Sequence, residues 1–286
     1  MNRVRTVDEA CGIAQAAAVV GDWWNLLVLR EVARGHRRFD ELAAELGISR
    51  KVLTQRLNHL VEYGVLERSP YQQAPVRHDY LLTERGRALL PVLVNMQDWA
   101  DRWLLGDGSL SATTSSESAD AARVASLVGS SVPRVELPGA DGVSRDVLAS
   151  GVTVLFTYPA TGRPTPLPSG WYDIPGTAGC TLENRLFRDR WPSFVDAGVT
   201  VHGVSTQRPD EQAAFAAAES VPYPLLSDVD LALVAALRLP TFRAAQQLRL
   251  KRLILVVDGT RVVRHVLYPV LDIPAAVEQS LVLARG

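Results

Sequence analysis

The stretch FDELAAELGISRKVLTQRLNHLVEYGVLERS, residues 39–69, decides how the first part of the chain folds. Its first half has an apolar stripe at helical spacing that ends at Gly47, where glycine adopts a left-handed conformation at little cost. Ser49 is suited to cap the following helix. The apolar stripe of that second helix consists of Leu53, Leu57, Leu60 and Val61. Two short helices joined by a tight glycine turn predict a helix-turn-helix.

The polar face of the second helix carries side chains of the kind that bind DNA. Five of them point away from the apolar stripe: Arg50, Lys51, Thr54, Gln55 and Asn58. Such side chains hydrogen-bond to phosphates and base edges in a major groove. Between Arg30 and Arg56 there are seven Lys and Arg residues against four Asp and Glu residues. On helical spacing alone, a plain helical bundle with a solvated polar face remains the alternative.

The residues around this motif complete a winged helix. Residues 8–20 and 22–33 have apolar residues at helical spacing, so each predicts a helix. After the motif, Val65–Arg68 and Asp79–Leu82 are short strand candidates on either side of SPYQQAPVRH. A hairpin with a proline-containing tip has the shape of a wing, and we expect Arg77 and His78 to reach a backbone phosphate from it.

A shift in composition divides the chain into two domains. The stretch GDGSLSATTSSESAD, residues 106–120, is small and polar and has no apolar periodicity. Such a stretch buries too little surface to offset its ordering entropy, so we predict a flexible linker over residues 106–131. The linker separates a mainly helical domain, residues 1–105, from an α/β domain, residues 132–286.

The order of elements in the second domain predicts a thioredoxin-like fold. The runs VTVLFTY (152–158) and VTVHGVS (199–205) are strands, and a helix begins near Cys180 between them. Two further helices follow, and KRLILVV (251–257) and RVVRHVLY (261–268) close the domain as a hairpin. A β-α-β unit leading to an antiparallel pair is typical of that order.

Cys180 is the candidate redox residue of this domain. A cysteine in the first turn of a helix faces unsatisfied N–H groups, which favour the thiolate. A thiolate attacks a peroxide O–O bond and becomes a sulfenic acid. We expect Thr177 to offer its hydroxyl to the sulfur and to the peroxide oxygen, and Arg252 to supply the cation that stabilises the thiolate and the leaving oxygen. The alternative is a buried apolar thiol without chemistry.

The first domain resembles the HxlR-type winged helix-turn-helix regulators. The resemblance rests on the helix-turn-helix stretch, on GDWWNLLVLREVARGHRR before it and on YLLTERGRALLPVLVNMQDWADRW after it, and covers residues 10–105. It implies a homodimeric repressor or activator on double-stranded operator DNA. The N-terminal helix and the helix from Leu89 to Trp103 would form the dimer contact. Cys11 lies where some members carry a redox-sensing cysteine. It is either a sensor and redox partner or a small thiol at the dimer seam.

The second domain resembles the AhpC/TSA peroxiredoxins, in the bacterioferritin-comigratory subgroup. The resemblance rests on VPRVELPGADGVSRDVLAS, GTAGCTLENRLFRD, YPLLSD and KRLILVVD, and covers residues 132–280. It implies that Thr177, Cys180 and Arg252 are the peroxidatic threonine, cysteine and arginine. A peroxide would then be the oxidant.

The chain departs from that family in three places. Asp173 stands where the family has its active-site proline, and Arg185 stands where the subgroup often has a resolving cysteine. The loop 159–176 is much longer, which makes it either a lid that selects a ligand or an insertion that closes the pocket. Without a resolving cysteine, an external thiol or Cys11 would have to reduce the sulfenate. We expect Arg185 either to lower the pKa of Cys180 or to pair with Glu183 or Asp189.

Composition excludes several classes of protein. The chain has 286 residues, of which 30 are basic and 31 acidic, so its formal net charge of −1 gives no global attraction to nucleic acid or membranes. Two cysteines are too few for a disulfide framework and fit a reducing cytoplasm. The N-terminal segment MNRVRTVDEA lacks the apolar core of a secretion signal, and no apolar run is long enough to span a membrane. We expect a cytoplasmic protein with no metal, cofactor or membrane partner.

Three functional hypotheses follow. The first is a DNA-binding transcription regulator whose thioredoxin-like domain senses peroxide or redox state through Cys180. The second is a thiol-dependent peroxidase that carries a DNA-binding module. The third is a ligand-responsive regulator with a degenerate redoxin domain. Fold alone does not choose among them.

Overall fold

The computed structural model describes residues 10–162 and 166–286. The chain forms two compact units, which divide between Leu93 and Val94. The first unit is a winged helix-turn-helix and the second is an α/β domain, as the sequence predicts. Among the described residues, no single helix is long and apolar enough to cross a membrane, and only a pair of N-terminal helices bent by 73° reaches that length together.

The first unit contains the predicted helix-turn-helix. Four helices come first: α1 (Gly12–Val20), α2 (Trp23–Ala33), α3 (Phe39–Leu46) and α4 (Arg50–Glu62). Gly47 ends α3 in the left-handed region at φ 58°, and the Ser49 hydroxyl accepts the Val52 N–H at the start of α4. The core between these helices consists of fully buried leucines, among them Leu42, Leu53, Leu57 and Leu60. Apolar spacing and turn chemistry therefore determine this region together.

The hairpin after α4 is longer than predicted. Strands β1 (Leu66–Gln73) and β2 (Val76–Leu82) pair antiparallel around the Ala74–Pro75 tip, with an irregularity between Pro70 and Gln72. Most side chains of β1 are exposed, so the hairpin has no apolar alternation that would mark its ends in the sequence. The short helix α5 (Glu84–Arg87) and the longer α6 (Leu90–Trp103) follow, and the division between the units falls within α6.

The second unit is built on a five-stranded sheet. Its strands are β5 (Thr153–Thr157), β6 (Thr200–Ser205), β7 (Leu225–Ser227), β10 (Leu253–Val257) and β11 (Val263–Leu267). They lie in the order β11-β10-β5-β6-β7. β5, β6 and β7 run parallel, and β10 is antiparallel to both β5 and β11. Alternate residues of β5, Val154 and Phe156, pack in one core with Phe187 and Val277.

Helices and two small hairpins surround this sheet. The helices are α8 (Cys180–Asp196), α9 (Pro209–Glu219), α10 (Ala232–Leu237) and α11 (Ile273–Arg285). The hairpins are β3 (Glu136–Pro138) with β4 (Ser144–Asp146), and β8 (Thr241–Ala244) with β9 (Gln247–Leu250). β10 is antiparallel to β5, so Leu253 at the start of β10 pairs with Thr157 at the end of β5. The residues just before β10 therefore lie at the same sheet edge as the start of α8.

Residues 106–131, which the sequence predicts as a flexible linker, are instead a packed part of the second unit. They contain the helix α7 (Ala119–Ala125), capped by the Ser118 hydroxyl. Ala121, Val124 and Leu127 recur every three residues and are buried. The polar composition of the segment is misleading because its hydroxyls and Asp120 form hydrogen bonds inside the protein, which offsets the cost of ordering them.

Candidate functional site

Cys180 is the first residue of α8 and lies in a buried pocket. Its side chain is 4% exposed, and it follows Gly179, which takes the left-handed region at φ 101°. The sulfur lies 3.4 Å from Nη2 of Arg252 and 3.5 Å from the carbonyl oxygen of Thr177. The backbone N–H of Ala160 also faces it. The structure therefore brings the predicted cysteine and arginine into contact.

Arg252 is held rigidly beneath the sulfur. It lies in the connection between β9 and β10 and is 5% exposed. Its Nε donates to Oε2 of Glu183 at 2.8 Å, and its two terminal nitrogens donate to the carbonyl oxygens of Gly176 and Ala178 at 3.3 and 3.1 Å. Each guanidinium nitrogen thus has a defined partner, so the cation is positioned toward Cys180 before any substrate arrives.

Thr177 is oriented differently from the prediction. Its hydroxyl oxygen lies 2.7 Å from the carbonyl oxygen of Trp171 and 2.9 Å from that of Ile174, and the hydroxyl donates there. The carbonyl of Thr177, not its hydroxyl, is the group that approaches the sulfur. The hydroxyl therefore reinforces the turn before α8, where the carbonyls of Trp171 and Ile174 also accept the backbone N–H groups of Ile174 and Thr177.

The pKa of Cys180 differs in direction from the expected thiolate. Burial raises the pKa of this thiol above its ordinary value, although Arg252 and the Ala160 N–H lower it in part. The Glu183 carboxylate raises it further. A helix N-terminus and one guanidinium do not outweigh the loss of hydration at a side chain packed in the domain core. Cys180 is therefore held mainly as a thiol at neutral pH in this state.

Glu183 is a site residue that the sequence reasoning missed in this role. It is fully buried, and its Oε1 has no hydrogen-bond partner among the described residues. Burial raises the pKa of its carboxyl to about 7, while the Arg252 guanidinium lowers it in part. The sequence signal was its position three residues after Cys180, on the same face of α8. Glu183 anchors Arg252 and is poised to change charge near neutral pH.

A second buried carboxyl has the same shift. Asp228 follows β7 and accepts the N–H groups of Leu233 and Val234 at 3.0 and 2.9 Å. Burial raises the pKa of Asp228 to about 7, against hydrogen bonds that lower it. In the folded chain both carboxyls therefore keep their protons to higher pH than they do in the unfolded chain.

We expect Asp228 and Glu183 to make the free energy of unfolding fall as pH rises from about 4 to about 7, the window between the unfolded and folded pKa values of these groups. A raised folded pKa gives stability that is complete below the unfolded pKa and is lost as pH rises through the folded one. The Asp228→Asn variant should reduce this downward slope. Glu183 and Asp98, whose pKa burial also raises, keep contributing to it, while His202, whose pKa burial lowers, opposes it. Urea unfolding across this range measures it. The matched control, Asp210→Asn at an exposed ion pair, should keep the full slope. An Asp228→Asn slope equal to the wild type would contradict the assignment.

The Cys180 pocket has a volume of about 520 Å³. Its apolar wall comes from the long loop 159–176: Trp171 is buried and Tyr172 is 76% exposed. Residues 163–165 of that loop lie outside the described residues. Arg185 lies at the edge of the pocket and forms a two-point ion pair with Glu219, at 2.7 and 2.9 Å. The predicted ion pair with Glu183 or Asp189 is therefore wrong, because Glu219 of α9 holds the guanidinium.

The predicted DNA-binding residues share one face of α4. Arg50, Lys51, Thr54, Gln55 and Asn58 are all exposed. Arg50 donates to Asp40 at 2.8 Å and lies 4.7 Å above the Phe39 ring, and the Thr54 hydroxyl donates to the Arg50 carbonyl. Lys51 and Gln55 have exposed side chains on the same face. This face therefore presents charged donors, from Arg50 and Lys51, beside neutral polar groups such as the Gln55 amide. Both kinds of side chain bind base edges in a major groove.

The wing and the residue before α3 carry two basic side chains, Arg68 and Arg38, that the sequence reasoning did not select. The predicted wing residues Arg77 and His78 both lie in β2, where Arg77 is exposed and His78 is half-buried. Arg68 of β1 donates to Asn58 of α4 and so connects the hairpin to the helix. Arg38 lies 4.4 Å above the Tyr71 ring. In the sequence these two arginines are marked only by their charge. Which charged residues share a face depends on strand pairing, and the sequence does not show that pairing.

Cys11 precedes α1 in the first unit. Its side chain is exposed, and both cysteines of the chain are free thiols. Its predicted role as a redox partner stays a prediction.

Among the residues that the structure describes, a cluster in the first unit has metal-compatible spacing. Glu31, His36 and Glu45 bring ligand atoms within 4.8 Å of one another. The buried Glu31 carboxylate already accepts from Arg30 and Arg34, each at 2.6 Å. We interpret the cluster as an ion-pair network around the buried Glu31, because two guanidinium groups neutralise the carboxylate that a metal would need.

Known proteins match each unit separately. Residues 19–107 match the HxlR-like helix-turn-helix family model. An uncharacterized HTH-type transcriptional regulator of Synechocystis is 40% identical over 95 residues, which cover 33% of this chain and 70% of that protein. The chain belongs to the HxlR-like helix-turn-helix family. A second relative, the HTH-type transcriptional regulator YodB of Bacillus subtilis, is 37% identical over 31% of this chain and 80% of that protein.

This HxlR-like chain also carries an AhpC/TSA domain, because residues 171–266 match that family model. The peroxidoxin BcpB of Mycobacterium tuberculosis is 30% identical, with a TM-score of 0.47, over 55% of this chain and 96% of that one. An uncharacterized HTH-type regulator of Mycobacterium tuberculosis is 46% identical over 96 residues, 34% of this chain. The chain spans 61% of that regulator's length.

Proposed function

We propose that this protein is a DNA-binding transcription regulator whose AhpC/TSA domain senses peroxide through Cys180. The observation that carries the proposal is the 3.4 Å contact between the sulfur of Cys180 and the guanidinium of Arg252, in a chain that also folds an HxlR-like helix-turn-helix. A structural cysteine needs no cation, yet Arg252 keeps one terminal nitrogen against the sulfur although the Glu183 carboxylate already pairs with its charge.

The proposed reaction is oxidation of the thiol to a sulfenic acid. The sulfur of Cys180 attacks one peroxide oxygen, an S–O bond forms and the O–O bond breaks. The sulfur loses two electrons, and the peroxide is reduced to water or an alcohol. The thiol proton ends on the leaving oxygen. Arg252 lies where it can stabilise the thiolate as it forms and the negative charge on that oxygen.

Burial of Cys180 is compatible with a sensor that reacts once. A sensor needs a reaction that is fast only relative to the supply of oxidant, whereas a peroxidase must also admit a reductant at every cycle. With Arg185 in the position of a resolving cysteine, the sulfenic acid would be reduced by an external thiol. Cys11 is the alternative reductant within the same chain or a second copy.

We propose that DNA is bound by a homodimer. The exposed face of α4 would enter the major groove, with Arg77 and His78 of the wing against the backbone. α6 supplies the dimer contact, supported by the exposed residues Met96, Trp99 and Trp103, which recur every three or four residues and are 49%, 55% and 55% exposed. Large apolar side chains that share one helix face mark an interaction surface.

The test compares the affinity of reduced and peroxide-treated protein for a duplex that the wild-type protein has enriched from a random pool. We expect the dissociation constant to change by about five-fold or more on oxidation, the range of ordinary allosteric coupling. The mass of the complex should correspond to two chains per duplex. The Cys180→Ser variant should bind DNA and lose the response. Equal affinity of both states, with sulfenic acid confirmed by mass spectrometry, would overturn the sensing proposal.

A ligand-responsive regulator is the second candidate, and one observation favours it. Burial raises the pKa of Cys180, while the pocket beside it is large enough for an organic molecule. In that case the Cys180→Ser variant would still change its affinity for DNA when the organic ligand binds. A thiol-dependent peroxidase would instead consume peroxide over many cycles with an added thiol, and a sensor would stop after one equivalent.

A further inference from the structure

The segment Leu110–Ala125, here called the connector, contacts the redox site from two sides. It follows α6 and ends with α7, and it lies between the two matched family regions, residues 19–107 and 171–266. Neither family model therefore accounts for it. On the first side, the buried Ala112 donates its N–H to the carbonyl oxygen of Pro175 at 2.8 Å. Pro175 belongs to the turn that leads into Cys180.

The next residue of the connector packs on the same turn. A Cβ atom placed on Gly176 would lie 2.7 Å from Cβ of Thr113, and Gly176 has φ +84°. Only glycine fits there, because any side chain would collide with the connector and strain the backbone. The carbonyl of Gly176 is one of the acceptors of Arg252. Thr113 is therefore separated from the redox arginine by a single residue.

The second side of the contact is an ion pair beside Arg252. Asp120 of α7 is 7% exposed and accepts Nζ of Lys251 at 2.9 Å. It also accepts the Tyr268 hydroxyl at 2.8 Å. Lys251 is the residue immediately before Arg252. Because the two residues share a peptide bond, a displacement of the Arg252 backbone also displaces Lys251 and changes the geometry of its ion pair with Asp120.

α7 is in turn joined to the C-terminal half of α6. Arg123 donates to both carboxylate oxygens of Asp101 in α6, at 2.8 and 2.6 Å, and to the carbonyl oxygen of Arg238 at 2.9 Å. Two-point pairs of this kind fix orientation as well as distance. A continuous series of links thus runs from Cys180 to α6: the Arg252 contact, the peptide bond to Lys251, the ion pair with Asp120, and the pair of Arg123 with Asp101, the last two being partly buried.

We propose that the connector is the element that passes the oxidation state of Cys180 to α6. This inference rests on the proposed function. A sulfenic oxygen on a sulfur that is 4% exposed needs space and a donor; the Ala160 N–H belongs to the backbone, and Arg252 is the side-chain donor beside the sulfur. When Arg252 turns to that oxygen, it releases the carbonyls of Gly176 and Ala178. The turn against Thr113 and the Lys251–Asp120 pair then shift together, and α7 carries the shift to Asp101.

The first test needs no variant in the connector. Hydrogen exchange is measured on the full-length reduced protein and on the same protein after stoichiometric treatment with hydrogen peroxide. We expect faster exchange in peptides that cover Ala112 and α7 after oxidation, with no change in Cys180→Ser. Unchanged exchange in the connector, in protein whose DNA affinity does respond to peroxide, would overturn this inference and leave the proposed function standing.

The second test uses Asp120→Asn, which removes the charge that holds Lys251. We expect the oxidation-linked change in DNA affinity to fall by about five-fold or more, while Cys180 reacts with peroxide at nearly the wild-type rate. The matched control is Asp210→Asn, which removes an exposed carboxylate paired with Arg208 in α9 and should respond like the wild type. A full response in Asp120→Asn would overturn the inference. If wild-type affinity does not respond either, the proposed function itself fails.

Discussion

Replacing Arg252 by methionine is expected to slow the oxidation of Cys180 by hydrogen peroxide about 100-fold, the usual effect of removing one preorganised donor from a developing charge. The reason is the 3.4 Å contact between the guanidinium and the sulfur, both of which are buried, so that solvent screens their interaction little. The rate is measured by trapping the sulfenic acid with dimedone, between about pH 6 and 10 because burial raises the pKa of the thiol.

The same variant should lose stability, because it leaves Glu183 buried without a counter-charge. Breaking a buried pair from one side costs about 3 to 5 kcal/mol. The loss should be smaller at acidic pH, since burial already raises the pKa of Glu183 to about 7. The double variant Arg252→Met with Glu183→Gln should recover stability but not reactivity, so the two effects are separable.

The matched control for this prediction is Arg190→Ala. Arg190 lies on α8 like Cys180, is 51% exposed and pairs with Glu278 at the surface. Exposed pairs contribute little, so both rate and stability should stay near wild type. A wild-type oxidation rate in the stable double variant would remove Arg252 from the chemistry.

The second large effect concerns Lys51. In a homodimer, Lys51→Ala removes one phosphate contact from each subunit, so the slope of log affinity against log salt should fall by about two. Affinity near 0.1 M salt should fall roughly 50-fold, as expected for two lost counterion-releasing contacts. Arg50→Ala should have a smaller effect, because Asp40 already pairs with that guanidinium at 2.8 Å.

Fluorescence anisotropy with the enriched duplex, at several salt concentrations, measures both quantities. The control is Arg87→Ala in α5, which removes an exposed cation that donates to the Leu82 carbonyl and lies off the face of α4. Its slope should match the wild type. A Lys51→Ala slope equal to that of Arg87→Ala would place the DNA contact on another surface.

Local sequence was sufficient where a short-range pattern has one physical solution. The stripe of Leu53, Leu57 and Leu60 buries only if residues 50–62 are helical, and Gly47 and Ser49 set its start. The runs around Val154 and Ile254 are apolar enough to lie inside a sheet whatever their partners are. The hairpin strands were underestimated because their exposed residues do not alternate between apolar and polar.

Composition failed for the connector. Its serines and threonines are typical of linkers, yet Ala112, Asp120 and Val124 are buried. Ala112 is bonded to Pro175, and Asp120 is bonded to Lys251 and Tyr268. The Asp120 partners lie 131 and 148 residues further along the chain. No local window contains both halves of such contacts.

The residue types and their spacing were enough to predict the helices and strands of both domains, because helix and strand periodicity follow from backbone geometry alone. The pairing of Cys180 with Arg252 was predicted instead from the chemistry of a thiolate and from the resemblance to the AhpC/TSA peroxiredoxins. Only the tertiary structure decided how much water reaches Cys180, where the Thr177 hydroxyl donates, that Glu183 anchors the arginine and that a polar segment is packed. These properties depend on desolvation and on contacts between residues distant in the chain, which are set by all the neighbours that the complete fold brings together.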